Sequence, residues 1–212
     1  MFIGEGQDWF DGEEQAWQKL LQLDYVDVCR NAKTDFDTLS NHYVLPIFNT
    51  SIFVSPRDRR IWGDSSLADL LLNKLAHYSR LSALWYLIQS KDIPLSGTLI
   101  KPRELNGGLI FEKGSHMLPL DKLVQKYGND IEGFVQKAVT FGGEQLNYGD
   151  ASVRIFPFPR IPMILLIWGN DGEFPSHADI LFDSTCSRHL PADIIWSTAM
   201  MSILAMVGPE SI

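Results

Sequence analysis

The chain is poor in cysteine: Cys29 and Cys186 are its two thiols in 212 residues. Two cysteines cannot build the disulfide framework of a small secreted domain, and their neighbours form no redox motif. Free thiols in a reducing cytosol are expected. Dense basic runs are missing too. Arg57, Arg59 and Arg60 come nearest, interrupted by Asp58, and the formal net charge is −8. Nucleic acid demands a basic face that neutralises phosphates, so it is not an expected partner. The arginine cluster reads as a solvated turn. No stretch reaches the roughly 18 apolar residues of a membrane span. The closest, residues 194–207, carries Ser197, Thr198 and Ser202, so no membrane contact is expected. The opening residues are acidic and lack the basic and apolar regions of a secretory signal, which adds to the cytoplasmic expectation. Phosphate-binding, dinucleotide, Gly-x-Ser-x-Gly and His-Glu-x-x-His motifs are all absent.

What remains has an ordinary globular composition, 45% apolar and 21% charged. This length suits a single domain over residues 1–212 with a core of its own. Helical spacing of Trp17, Leu20, Leu21, Tyr25 and Val28 predicts an amphipathic helix over 13–32. Short β-prone runs over 43–62, with turns at Asn49-Thr50 and Pro56-Arg57-Asp58, predict an antiparallel meander. A wide apolar stripe from Leu67 through Leu81 and Trp85 to Ile88 predicts a core helix over 65–89, capped at Ser66. A strand is expected over 98–101 and two short helices over 118–127 and 131–141, ended by glycines. Strands follow over 146–156 and 161–168, separated by prolines. The second is apolar throughout, as a strand covered on both faces should be. Asn170-Asp171-Gly172 signals a turn before a strand over 178–182. A last helix begins near Pro191 and is apolar nearly all round, which suits burial or a subunit interface. Strands and helices lack a βαβ rhythm, so the expected class is α+β, a mixed, largely antiparallel sheet packed against several helices.

Segment 168–183 concentrates polar groups between two apolar strands: Trp168, Asp171, Glu173, His177, Asp179 and Asp183. Carboxylates and imidazoles so spaced can converge on a divalent ion, but Cys186-x-x-His189 is one soft pair where a structural zinc site needs two. No metal is assigned. Glu173, His177 and Asp179 could form an acid–base set, because a histidine beside carboxylates can be tuned to accept protons. Cys186 with His189 is a weaker nucleophile pair than a buried structural cysteine is a core residue. Arg103, Glu104, Gly107 and Gly108 could grip an anion, with glycine admitting close approach; the competing reading is a surface turn with an Arg–Glu ion pair. Turn formation and backbone capping account for most polar residues of 168–183 without chemistry.

The run from Pro159-Arg160-Ile161-Pro162 through Trp168-Gly-Asn-Asp171-Gly-Glu173-Phe174-Pro175 to Asp179-Ile-Leu-Phe182-Asp183 resembles the bacterial and archaeal domain of unknown function family 3786. Pro102-Arg103-Glu104-Leu105-Asn-Gly107-Gly108 and Phe141-Gly142-Gly143 fit the same pattern. The resemblance implies a protein common in anaerobes. Some members carry an iron–sulfur segment, for which this chain lacks the cysteines, and some lie near corrinoid-dependent methyl-transfer systems. The expectation is an accessory protein binding a small molecule or cofactor, a corrinoid-related one among the candidates, at Arg103, Trp168, Asp171, Glu173, His177 and Asp183. The alternatives are a metal-assisted or acid–base enzyme using Glu173, His177 and Asp179, and an interaction module, homodimeric or with a protein partner, through the C-terminal helix.

Overall fold

A computed structural model describes residues 7–112, 116–170 and 172–208. Helices α1 (Gln7–Gln22) and α2 (Tyr25–Ala32) precede a four-stranded sheet of β1 (Asp35–Asp37), β2 (His42–Ile47), β3 (Thr50–Ser55) and β4 (Arg60–Trp62). Next come α3 (Ser66–Asp69) and α4 (Ala76–Gln89), then β5 (Leu99–Ile100), α5 (Leu120–Tyr127) and α6 (Ile131–Val139). The chain continues with β6 (Glu144–Leu146), β7 (Ala151–Phe158), β8 (Ile161–Trp168), β9 (His177–Asp183), α7 (Cys186–His189) and α8 (Ala192–Val207). The second sheet has the order β5-β9-β8-β7-β6, and every strand pairing in both sheets is antiparallel. The class is α+β, with two sheets instead of one.

Two long helices expected from periodicity are broken. Residues 13–32 split at Asp24, whose carboxylate accepts from Val26 N at 2.8 Å and Asp27 N at 3.3 Å and so caps α2. Residues 65–89 split because Leu70–Lys74 widens into a π-helical turn. The buried Ser79 hydroxyl donates to the Leu71 carbonyl at 2.6 Å, satisfying an acceptor that the wider turn leaves over. Ser65, one residue earlier than expected, caps α3 by accepting from Ala68 N at 3.0 Å. The expected strand over 146–156 is two strands joined by a turn at Gly149, where φ is +59°. Pro157 and Pro162 lie inside β7 and β8, not between them, and the register slips between Ile155 and Phe158.

Strand β8 is buried from Ile161 to Ile167, which its unbroken apolar run requires. Helix α4 packs between α1 and α8, and α8 also contacts α5 and α6. Nearly all of α8 is buried, its serines and threonine included; Ser197 donates to Tyr78 O, and Thr198 and Ser202 donate to carbonyls one turn back. Its apolar surface is therefore used inside this chain.

A buried arginine ties the layers together. Arg160, in the β7–β8 turn, is 4% exposed. Its guanidinium donates to Asn31 O at 2.6 Å, Ile93 O at 2.8 Å and Arg30 O at 3.1 Å, and pairs with Asp92 at 2.5 Å. The Tyr86 hydroxyl accepts from Arg160 N at 3.2 Å and donates to Ala32 O at 2.7 Å. Three terminal carbonyls of α2 are thus satisfied by α4 and the sheet. Arg160→Met should cost roughly 3 kcal/mol or more in denaturant unfolding, because three part-buried carbonyls and the Asp92 carboxylate lose their donor at once. A change below about 1 kcal/mol would contradict this role.

Candidate functional site

The residues of segment 168–183 do not gather in one place. Trp168 and His177 are cross-strand partners beside the β8–β9 turn, their rings stacked with centroids 4.3 Å apart and planes 7° from parallel. Trp168 also packs on Gly149, where a Cβ would lie 2.9 Å from the indole. Asp183 is at the far end of β9, about 20 Å away at the usual rise per strand residue. Glu173 is exposed in the loop between them, and Asp171 lies outside the described residues. Asp179 is held by Lys101 at 3.3 Å and by Ile180 N at 2.8 Å. Arg103 is exposed in a 3₁₀ turn (Pro102–Glu104) whose Glu104 accepts from Lys101 N at 2.7 Å, so the expected Arg103–Glu104 ion pair is replaced by a backbone cap. Gly107, at φ +78°, makes the turn, and Gly108 lies so close to Pro102 O that a Cβ would be 2.0 Å from it. The close approach is to the chain's own backbone.

Asp183 is a loop anchor. It is 2% exposed and accepts from Ser96 N at 3.1 Å, Ser96 Oγ at 2.9 Å, Gly97 N at 2.8 Å, Thr185 N at 2.9 Å and Thr185 Oγ1 at 2.6 Å. Burial pushes its carboxyl up, but the hydrogen bonds from Thr185 and Ser96 outweigh it and hold the pKa below the ordinary value. His189 anchors the other end of the same loop: its Nδ1 accepts from Lys91 N at 3.3 Å. Cys186 is fully buried, and burial first, then the Asp183 charge, pushes its thiol up to about 12. It is a core residue, not a nucleophile. Among the described residues no three His, Cys, Asp or Glu side chains come together to hold a metal ion.

A substantial cleft lies elsewhere, between α4 and the start of α8. Its volume is about 640 Å³, within the range of small-molecule sites, and its walls include Trp85, Gln89, His116, Asp193 and Trp196. Leu81, Trp85 and Gln89 repeat every four residues and so share one face of α4. Lys19 sits 4.5 Å from the Trp85 ring centroid. Trp196 meets His116 edge-on at 4.8 Å and Tyr78 at 5.8 Å. The Trp196 indole N–H is buried and has no acceptor among the described residues, an uncompensated cost within the fold. Periodicity places Trp85 in the core and the C-terminal helix in the core or at an interface, and no local spacing brings His116, Asp193 and Trp196 together.

An α+β scaffold with an aromatic interhelical cleft is the class that fold and geometry define. The chain belongs to the family described as Domain of unknown function (DUF3786), whose model matches residues 24–205. No curated protein and no solved structure matches it.

Burial, then the charges of Arg160, Arg188 and Lys91, lower the His189 pKa to about 4. An unfolded histidine titrates near 6.5. Between those values the unfolded chain takes up a proton that the folded chain refuses, so stability falls as pH falls. His189→Asn keeps an acceptor for Lys91 N and does not titrate. The melting-temperature advantage of wild type over this variant should shrink as pH falls from about 6.5 to about 4; a constant difference would show that His189 takes up its proton in the fold as readily as in the unfolded chain, and contradict the lowered pKa.

Proposed function

We propose that this chain is a small-molecule-binding protein whose ligand is a planar ring bearing a hydrogen-bond acceptor, seated between Trp85 and Trp196. The observation that carries the reading is the buried N–H of Trp196, a residue lining an aromatic cleft, which has no acceptor among the described residues. A ligand acceptor there would relieve the desolvation cost of that N–H, and rings stacked on indole add affinity. Gln89, His116 and Asp193 supply further polar contacts that orient a ligand in a largely apolar site. The ligand-binding expectation is kept, but its place moves from segment 168–183 to the α4–α8 cleft. An acid–base role for Glu173, His177 and Asp179 has less support, since His177 stacks on Trp168 and Asp179 is engaged by Lys101. The protein-partner reading loses its motive, because α8 spends its apolar surface in the core. The corrinoid association of the family points to no residue of this cleft, so cobalamin enters only as one ligand class to titrate.

Tryptophan fluorescence titration with flavins, nucleosides and cobalamin tests the reading. At least one class should quench wild type saturably. Trp196→Phe removes the indole donor and keeps a ring, so affinity should fall about tenfold, near 1.4 kcal/mol. The same variant without ligand should be as stable as wild type or slightly more so, because an orphaned donor is gone. Unchanged affinity in Trp196→Phe would remove the basis of the proposal.

A further inference from the structure

We infer that the ligand of this cleft carries a phosphoryl group, which binds in an adjoining basic recess. The inference rests on the cleft reading for the ring and on separate residues for the anion. The recess has a volume of about 540 Å³ and is lined by Lys91, Asn106, Ser187, Arg188 and His189 among others. Gln89 and Pro191 line both it and the tryptophan cleft, so the two adjoin along the end of α4 and the start of α8.

Charge is the first argument. In a chain of net charge −8, Arg59, Arg80, Lys101, Arg154 and Arg160 each pair with a carboxylate. Lys91 and Arg188 have no such partner among the described residues, and no carboxylate lines the recess. Asp183, the acid that acts on His189, is already engaged by Ser96, Gly97 and Thr185, and Asp193 lines the neighbouring cleft. The second argument is a buried donor. His189 is 1% exposed, and because its Nδ1 accepts from Lys91 N, the neutral ring carries its proton on Nε2. That N–H has no acceptor among the described residues. The third is the positive end of the 16-residue helix α8, which starts at Pro191 with no side-chain cap. Two unpaired cations, an orphaned imidazole donor and a helix N-terminus together match a doubly charged oxyanion carried by a ring in the next cleft.

Matched ligands separate the two readings. Flavin mononucleotide with riboflavin, and AMP with adenosine, differ by the phosphate, while pyrophosphate probes the recess without a ring. Binding is read by tryptophan quenching and melting temperature, in wild type and in the double variant Lys91→Gln/Arg188→Gln. Both positions are exposed, so the variant should fold normally. In at least one pair the phosphorylated member should bind about tenfold tighter than its partner, by a margin that added salt erodes. The double variant should lose that preference and keep wild-type affinity for the unphosphorylated member. Equal affinities within a pair that binds, or a preference surviving in the variant, would overturn the phosphate recess and leave the ring cleft standing. If no ring ligand quenches, a pyrophosphate-induced rise in melting temperature in wild type, absent from the variant, would support the recess while the ring reading fails. No rise would overturn both.

Discussion

One buried guanidinium holds together the second sheet, the end of α2 and the loop after α4. Arg160 stands at the turn between the two longest strands and reaches the end of α2 and the loop after α4. A buried charge costs much unless it is paired and hydrogen-bonded. Here the carboxylate of Asp92 supplies a half-exposed pair, and helix-end carbonyls, which carry partial negative charge and need donors, supply the rest. The sheet, α2 and α4 therefore occupy a mutual arrangement in which all these groups are satisfied.

The same logic extends along the loop from Lys91 to Thr98. Arg160 fixes Asp92 and Ile93, His189 fixes Lys91, and Asp183 fixes Ser96 and Gly97. Each anchor is buried and each belongs to the second sheet or to the turn of helix that follows it. The loop brings few apolar groups of its own, so polar anchoring does what burial does elsewhere. Its position matters because Lys91, at its start, lines the recess that adjoins the α4–α8 groove. Polar groups inside this protein are thus of two kinds. Arg160, Asp183 and Tyr86 are satisfied and structural, whereas Trp196 and His189, whose buried N–H groups have no acceptor among the described residues, are side chains that line clefts.

Periodicity found the strands and helices whose burial is simple. Residues 161–168 read correctly because a strand covered on both faces is apolar at every position, and the helix start at Pro191 follows from its fixed φ. Failures occurred where a single side chain overrides the pattern. Asp24 ends one helix by capping the next, and Ser79 sustains a π-helical turn, neither of which alters apolar spacing. The short strand β1 has two acids in three residues and no apolar alternation to reveal it. For the site, local concentration of polar residues in the sequence does not become concentration in space. Asp183 looked like a ligand group and is a loop anchor; Arg160 stood within a recognisable motif, but its partners are 67 to 130 residues away in sequence. The α4–α8 cleft draws on residues near 85, 116 and 195, and no one-dimensional spacing brings those together.

The central claim is that the α4–α8 groove, not the tip of the β8–β9 hairpin, is the working part of this protein. The six tryptophans report on it directly, since each indole N–H gives its own nuclear magnetic resonance signal. Titration with a ligand that quenches fluorescence should move the Trp85 and Trp196 indole signals, Trp196 most strongly because its N–H gains an acceptor, and leave Trp168 in place. Movement of Trp168 with Trp85 and Trp196 unchanged would return the site to the hairpin and contradict the account.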